Sequence, residues 1–368
     1  MAKPIYLDNA AATPTDPAVV SAMQPLTAGL FGNPSSAHSF GRAASNAVEQ
    51  SRRSIANFLN CQDGETVFTG SGTESNNLAL IGVAKANKHK GRHIVTSVIE
   101  HPSIINACRA LEKDGYDITY LPVGKDGTVS SKELENSLKE ETILVSIHLA
   151  NSEIGVIQPI AELAKITKKH GAYFHTDACQ AAAYLDLDVD KLGVDLLTIN
   201  GSKCYGPKGI AVLYVREGTD IFPIHFGGGQ QQGLRSGTEN VPGIVGLAKA
   251  VEIITNKREN ESKRLGQLRD DLQNQLEKRG AKINVKNSPR LPNHLSVVMP
   301  IDETDVVKYF DQRGIAVSSG SACSSKSLVE SHVLQAVGLT SEQIQKTVRL
   351  TLGYQSSQKD IKQLLETL

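Results

Sequence analysis

The chain has 368 residues, enough to expect two domains, and its 40% hydrophobic and 21% charged residues are those of an ordinary globular protein. Lysine plus arginine and aspartate plus glutamate both number 39, so no global field favours nucleic acid or anionic lipid as a partner. No apolar run reaches the roughly 18 residues of a membrane span, and the opening MAKPIYLDNA has no signal pattern. The five cysteines, at 61, 108, 179, 204 and 323, are scattered and odd in number, which predicts a reducing, cytoplasmic location without a disulfide framework.

In chain order, TVFTG (66–70) reads as a strand leading into a helix near 73–88, and HIVTSV (93–98) into one near 102–114. ITYLPV (118–123) precedes a helix near 131–140. TILVSIHLA (142–150) precedes a helix over 160–171 that Gly171 ends. AYFHTD (172–177), DLLTIN (195–200) and IAVLYV (210–215) complete the set. Strands alternating with helices predict a mostly parallel sheet covered on both faces, an α/β fold. A long charged helix, roughly 242–279, leads to a smaller α+β pattern that includes HLSVVM, IAVSSG and TVRLTLG.

Sheets of this kind bind ligands at the carboxyl ends of their strands, where Thr69, Glu100, Asn151, Asp177 and Lys203 fall. TGSGTESNN (69–77) places Gly72 and Thr73 at a helix start, which suits either a phosphate or a plain Ser/Thr cap with turn glycines. In HTDACQ (175–180), His175, Asp177 and Cys179 alternate onto one face. They could ligate zinc, Asp177 could simply cap the turn, or it could pair with a protonated ring nitrogen. Lys203, in INGSKCYGPKG, is either solvated or desolvated enough to bond an aldehyde. His101 of EHPS is a helix-start histidine or a ring-stacking one. Together, a phosphate cradle, a carboxylate and an amine are the three handles pyridoxal 5′-phosphate needs. Near the end, SSGSACSSKS (318–327) carries one thiol, Cys323, among small polar residues.

The chain closely resembles the cysteine desulfurases of the class V aminotransferase-like family, the NifS/IscS type. The resemblance runs through YLDNAAATP (6–14), FGNPSSAHSFG (31–41), FTGSGTESNN, EHPS, NSEIGVIQPI (151–160) and HTDACQ. It continues through YGPKG, GGGQQQGLRSGTEN (227–240), SSGSACSSKS and RLTLG (349–353). It implies a fold-type I homodimer, with a large cofactor-binding domain over 15–255. The small domain, 1–14 with 256–368, would carry the cysteine loop. Lys203 would bond pyridoxal phosphate, Asp177 would pair with the ring nitrogen, Gln180 with the ring hydroxyl, and His101 would stack over the ring. Gly72, Thr73 and Ser202 would hold the phosphate, with Thr238 reaching in from the other subunit, and Asn200 would also bind the cofactor. Asn151 would lie beside the cofactor, and Asn33 and Arg349 would bind substrate, Arg349 by clamping its carboxylate.

The resemblance implies that sulfur leaves L-cysteine, giving L-alanine and a persulfide on Cys323, with His101 as the candidate base for the thiol. The sulfur would pass to an iron–sulfur scaffold or a tRNA-thiolation enzyme, with Cys323 a possible cluster ligand in such a complex. Where the family commonly has a histidine before the lysine, this chain has Ser202, a shorter and uncharged phosphate donor. The chain also ends sooner after RLTLG than the housekeeping members, whose tail helps dock the scaffold. A selenocysteine lyase, a class V transaminase and a non-catalytic scaffold share the same handles and are the alternatives.

Overall fold

Short apolar runs between amphipathic helices can bury both faces only as a sheet with helices on each side. The computed structural model, which describes residues 4–303, 305–319 and 330–368, has that architecture. Among the described residues, twelve strands form three sheets. They are β1 (Ile5–Tyr6), β2 (Thr66–Thr69), β3 (His93–Ser97), β4 (Asp117–Leu121), β5 (Thr142–Ser146), β6 (Tyr173–Asp177), β7 (Leu196–Asn200), β8 (Ala211–Val215), β9 (Lys282–Ile283), β10 (His294–Val298), β11 (Ile315–Ala316) and β12 (Thr347–Thr351).

The large sheet has the order β2-β8-β7-β6-β5-β3-β4. Only β8 is antiparallel to its neighbours, β2 and β7, so the other six strands run one way and end at one edge. Strand order reverses between β3 and β5, because β4 pairs on one side of β3 and β5 on the other. A crevice opens beyond the strand ends at such a switch point. The helices follow the expected boundaries closely: Gly72–Ala86, Pro102–Lys113, Ser131–Ser137 and Ile160–His170. Gly171 ends the last of these in the left-handed region, at φ 95°, where a side chain would be strained.

The expected strand over 142–150 stops at Ser146, but the chain stays in line with β6. Ile147 N–H donates to His175 O at 3.1 Å and Leu149 N–H to Asp177 O at 2.9 Å. The connector helix, Val241–Lys278, buries a 3-4-4 stripe of Leu265, Leu268, Leu272 and Leu276 in its second half. Beyond it, β9, β10 and β12 form an antiparallel sheet, and β11 pairs in parallel with β1 from the chain's start. The sequence reading did not anticipate the 21-residue helix Ser39–Leu59, whose buried face includes Ala44, Val48, Ile55 and Leu59.

Two buried histidines set an acid limit on this fold. His175 lies between Ser146 Oγ at 2.9 Å and Thr198 Oγ1 at 3.1 Å, and burial pushes it down to about 4. Burial pushes His294 down to about 3. Both must bind protons on unfolding, so the stability they hold is complete above about pH 6.5. It is lost as pH falls from there towards about 4 for His175 and about 3 for His294. Going from pH 7 to pH 5, each should cost on the order of 2 kcal/mol. Urea unfolding at the two pH values checks this: His175→Asn should lose less stability across the window than the native chain, and an equal loss would refute the assignment.

Candidate active site

At the shared strand edge lies a cavity of about 260 Å³. The sheet delivers one wall. Asp177 is the last residue of β6 and is buried. Its Oδ1 accepts from Cys179 N–H at 2.9 Å and its Oδ2 from Asn76 Nδ2 at 2.7 Å. Burial alone would push this carboxyl up, but His101 and the hydrogen bonds from Cys179 and Asn76 outweigh it and hold Asp177 below the ordinary range. The side chain therefore stays anionic, in place to face a cation.

His101 caps the helix Pro102–Lys113: its Nδ1 accepts from Ser103 N–H at 3.1 Å and lies 2.7 Å from Ser103 Oγ. Since Asn76 Nδ2 donates to that same Oγ at 2.9 Å, the order of donation runs from Asn76 to Ser103 to His101. The lone pair on Nδ1 is thus taken, and Nε2 carries a proton. Burial lowers the His101 pKa, with Lys203 adding to the effect and Asp177 opposing it. The expected roles of helix start and cavity wall coexist in this residue. As a base for a thiol it is poorly set up, because its remaining nitrogen offers a proton.

The helix Gly72–Ala86 points its first turn at the cavity, with Ser71 capping it by accepting from Glu74 N–H. The cap leaves the N–H groups of Gly72 and Thr73 for an anion. Gly72 has to be glycine for a packing reason: a Cβ there would stand 2.9 Å from Cys179 Sγ and 3.4 Å from the Asn200 Cβ. Asn200 ends β7 and its Oδ1 accepts from Ser202 N–H at 3.3 Å, closing the turn that presents Lys203. Lys203 Nζ donates to Ala10 O at 2.9 Å and also to Ala11 O. Gln180 Nε2 donates to the same Ala10 O at 2.9 Å, and Thr13 N–H donates to Ser202 O at 2.9 Å. The start of the chain is therefore laid across the lysine turn.

Arg349, on β12, is 2% exposed and closes the far side. Its Nη2 meets Asp8 Oδ1 at 2.7 Å and its Nη1 donates to Ser152 O at 3.0 Å, while Nε has no partner among the described residues. Asn151 also lines the cavity, but much of its amide is spent. Oδ1 accepts from Glu153 and Ile154 N–H, and Nδ2 donates to Ile99 O, leaving one N–H.

The structure thus gathers Gly72, Thr73, His101, Asn151 and Asp177 in one cavity, with Gln180, Asn200, Ser202, Lys203 and Arg349 around them. Asn33 and Thr238 are exposed and do not line it. Cys323 lies outside the described residues. The zinc alternative for His175, Asp177 and Cys179 is overturned: both His175 nitrogens are bonded to hydroxyls, and among the described residues no three metal-ligating side chains group together. The sequence reading missed Asn76, Ser103 and His148, all lining the cavity. Asn76 could have been found from its place one helical turn after Gly72, on the same face.

A phosphorylated pyridine ring with an aldehyde fits this wall. Asp177 offers an anion for a cationic ring nitrogen, the helix start offers N–H groups for a phosphate, and Lys203 offers an amine for a carbonyl carbon. Among the described residues, the buried polar atoms Asn76 Oδ1, His148 Nε2 and Arg349 Nε have no partner, and all three belong to residues of this cavity, which suits a polar ligand.

Comparison with known proteins agrees. The family described as aminotransferase class-V matches residues 5–364. "Cysteine desulfurase IscS" of Dictyoglomus turgidum is 45% identical over 371 residues, covering 100% of this chain and 94% of that protein. "Cysteine desulfurase IscS 1" of Archaeoglobus fulgidus is 46% identical, covering 99% and 95%. Among solved structures, a "NifS-like protein" superposes with a TM-score of 0.93 at 35% identity, covering 99% of this chain and 97% of that one. Another, "SspA in complex with cysteine", has a TM-score of 0.85 at 36% identity, covering 95% and 98%.

Proposed function

The chain belongs to the class-V aminotransferase family, and we propose that it works there as a cysteine desulfurase holding pyridoxal 5′-phosphate, taking sulfur from L-cysteine and leaving L-alanine. One observation carries this reading: an anionic Asp177, the amine of Lys203, the helix start at Gly72 and the Arg349 guanidinium meet around a single cavity. When bound, the cofactor supplies an electron sink for the α-carbon of the amino acid. Asp177 keeps a proton on the ring nitrogen. Gly72, Thr73 and Ser202 would hold the phosphate, Gln180 would pair with the ring hydroxyl, and Asn151 and Asn200 would lie beside the cofactor. Lys203 Nζ would hold the cofactor and would move the α-proton of the amino acid. His101 would cover the ring and would offer a proton from Nε2. Arg349 fixes the substrate carboxylate, and the sulfur passes to the Cys323 thiolate as a persulfide.

Around the site, residues 15–255 form the cofactor-binding domain, and 1–14 with 256–368 the smaller one carrying Cys323. A homodimer completes the site, with Asn33 and Thr238 serving it from exposed segments. Support comes from the aromatic pair Phe31 and Phe40, whose rings lie 5.5 Å apart and which are 71% and 53% exposed. The acceptor is an iron–sulfur scaffold or a tRNA-thiolation enzyme, met in the cytoplasm. No described helix is long and apolar enough to cross a membrane.

The test is to incubate the holoenzyme with L-cysteine and a reductant and to measure alanine and sulfide. Cys323→Ala should keep cofactor and cysteine binding yet lose sulfide release by about a hundredfold or more. Full turnover in that variant would overturn the reading.

A further inference from the structure

The switch point of the sheet holds a charge pair that the chemistry above does not use. Glu100 follows the end of β3, and His148 lies two residues beyond β5. They meet where the strand order reverses, with His148 Nδ1 3.0 Å from Glu100 Oε1. The His148 N–H donates to the same carboxylate at 3.1 and 3.2 Å, and Ser97 Oγ donates to it at 2.6 Å. Glu100 thus collects a set of donors suited to a carboxylate and fixes the imidazole from one side. His148 is 4% exposed and lines the cavity, yet its buried Nε2 has no partner among the described residues.

A buried nitrogen at the wall of a binding cavity costs free energy unless a ligand satisfies it. Burial would push the His148 pKa down, but Glu100 and then Asp177 outweigh it and raise it above the ordinary value. A protonated ring neutralises the buried carboxylate and turns Nε2 into a donor. A donor in this position suits an anionic oxygen.

We propose that His148 is a positioning residue of this cavity: clamped through Nδ1 by Glu100, it donates from Nε2 to an anionic oxygen of a molecule bound there. Two molecules offer such an oxygen, the cofactor through its ring oxygen and the amino acid through its carboxylate. The proposal rests on the reading that the cavity holds pyridoxal phosphate.

The test uses the full chain stripped of cofactor and titrated with pyridoxal 5′-phosphate, followed by the absorption of the bound cofactor, and then the KM for cysteine of the loaded enzyme. His148→Leu removes the donor, and His148→Gln keeps one. Because His148→Leu alone leaves Glu100 unpaired, His148→Leu/Glu100→Gln is measured beside it, with the melting temperature of each. The Leu variants should bind one of the two molecules about tenfold more weakly, the size of one hydrogen bond to a charged group, and His148→Gln should recover most of that. Weaker cofactor binding with a displaced absorption band assigns the oxygen to the cofactor. Unchanged cofactor binding with a raised KM assigns it to the substrate. If the double variant keeps both constants within about twofold of native, Nε2 contacts neither and the proposal falls. Native protein that binds no cofactor would sink the functional reading itself, and this proposal with it.

Discussion

Lys203→Ala should lower desulfurase turnover by a factor on the order of 10³ or more while leaving the chain folded. The amine has two partners in the N-terminal segment, the carbonyls of Ala10 and Ala11. Removing it takes away both contacts, but the segment keeps others. Thr13 N–H still donates to Ser202 O at 2.9 Å, Tyr205 N–H to Thr13 Oγ1 at 2.8 Å, and Asp8 still pairs with Arg349. The loss is therefore chemical more than structural. A second readout separates the two: borohydride treatment should fix cofactor covalently to the native chain at Lys203 and fix none to the variant, as mass spectrometry would show. Asp177 and the helix start at Gly72 remain, so the variant should still bind cofactor reversibly. Turnover above a tenth of native would remove Lys203 from its assigned role.

Arg349→Gln should raise the KM for cysteine about a hundredfold, with a smaller effect on kcat, because it removes binding common to ground and transition states. The same substitution should destabilise the fold by about 2–3 kcal/mol. The guanidinium is 3% exposed and its partner Asp8 18%, so the change leaves a largely buried carboxylate without its cation. These two effects come apart in a cycle. Asp8→Asn with Arg349→Gln should restore most of the stability, since no unpaired charge remains, and should leave the KM high. If the double variant also recovered its KM, Arg349 would act only by holding Asp8 in place. Arg349→Lys would keep the charge but lose the fork, so an intermediate KM is expected.

Much of this could be read from the sequence, because the signals involved are local. β-rich runs bounded by helical periods mark the strands of the large sheet, and the polar residues just past them locate the cavity edge. What could not be read depends on register. His148 sits inside the apolar run TILVSIHLA and gives no local sign of chemistry. Its partner Glu100 is 48 positions away and reaches it only because β3 and β5 pair in parallel. Asn76 looks like an ordinary polar helix residue until the helix is placed over β6 and its amide meets Asp177. The helix Ser39–Leu59 was hidden because serine, asparagine and arginine dilute its apolar stripe. The place of Arg349 was implied by the motif around it, but its bond to Asp8 joins residues 341 apart and leaves no trace in spacing.

That bond has a consequence for the order in which the molecule is made. Asp8 bridges to Thr351, and Asn9 and Ala10 bond the Thr351 carbonyl and hydroxyl. The segment that accepts the Lys203 amine is thus tied down by a strand synthesised long after it. At about 5–20 residues per second, some tens of seconds separate synthesis of Asn9 from that of Thr351. During that interval the large sheet can form, but the opening residues have no strand to join. The nascent chain therefore passes through a stage in which the lysine turn is built and uncovered, and the active site closes only once β12 has been made.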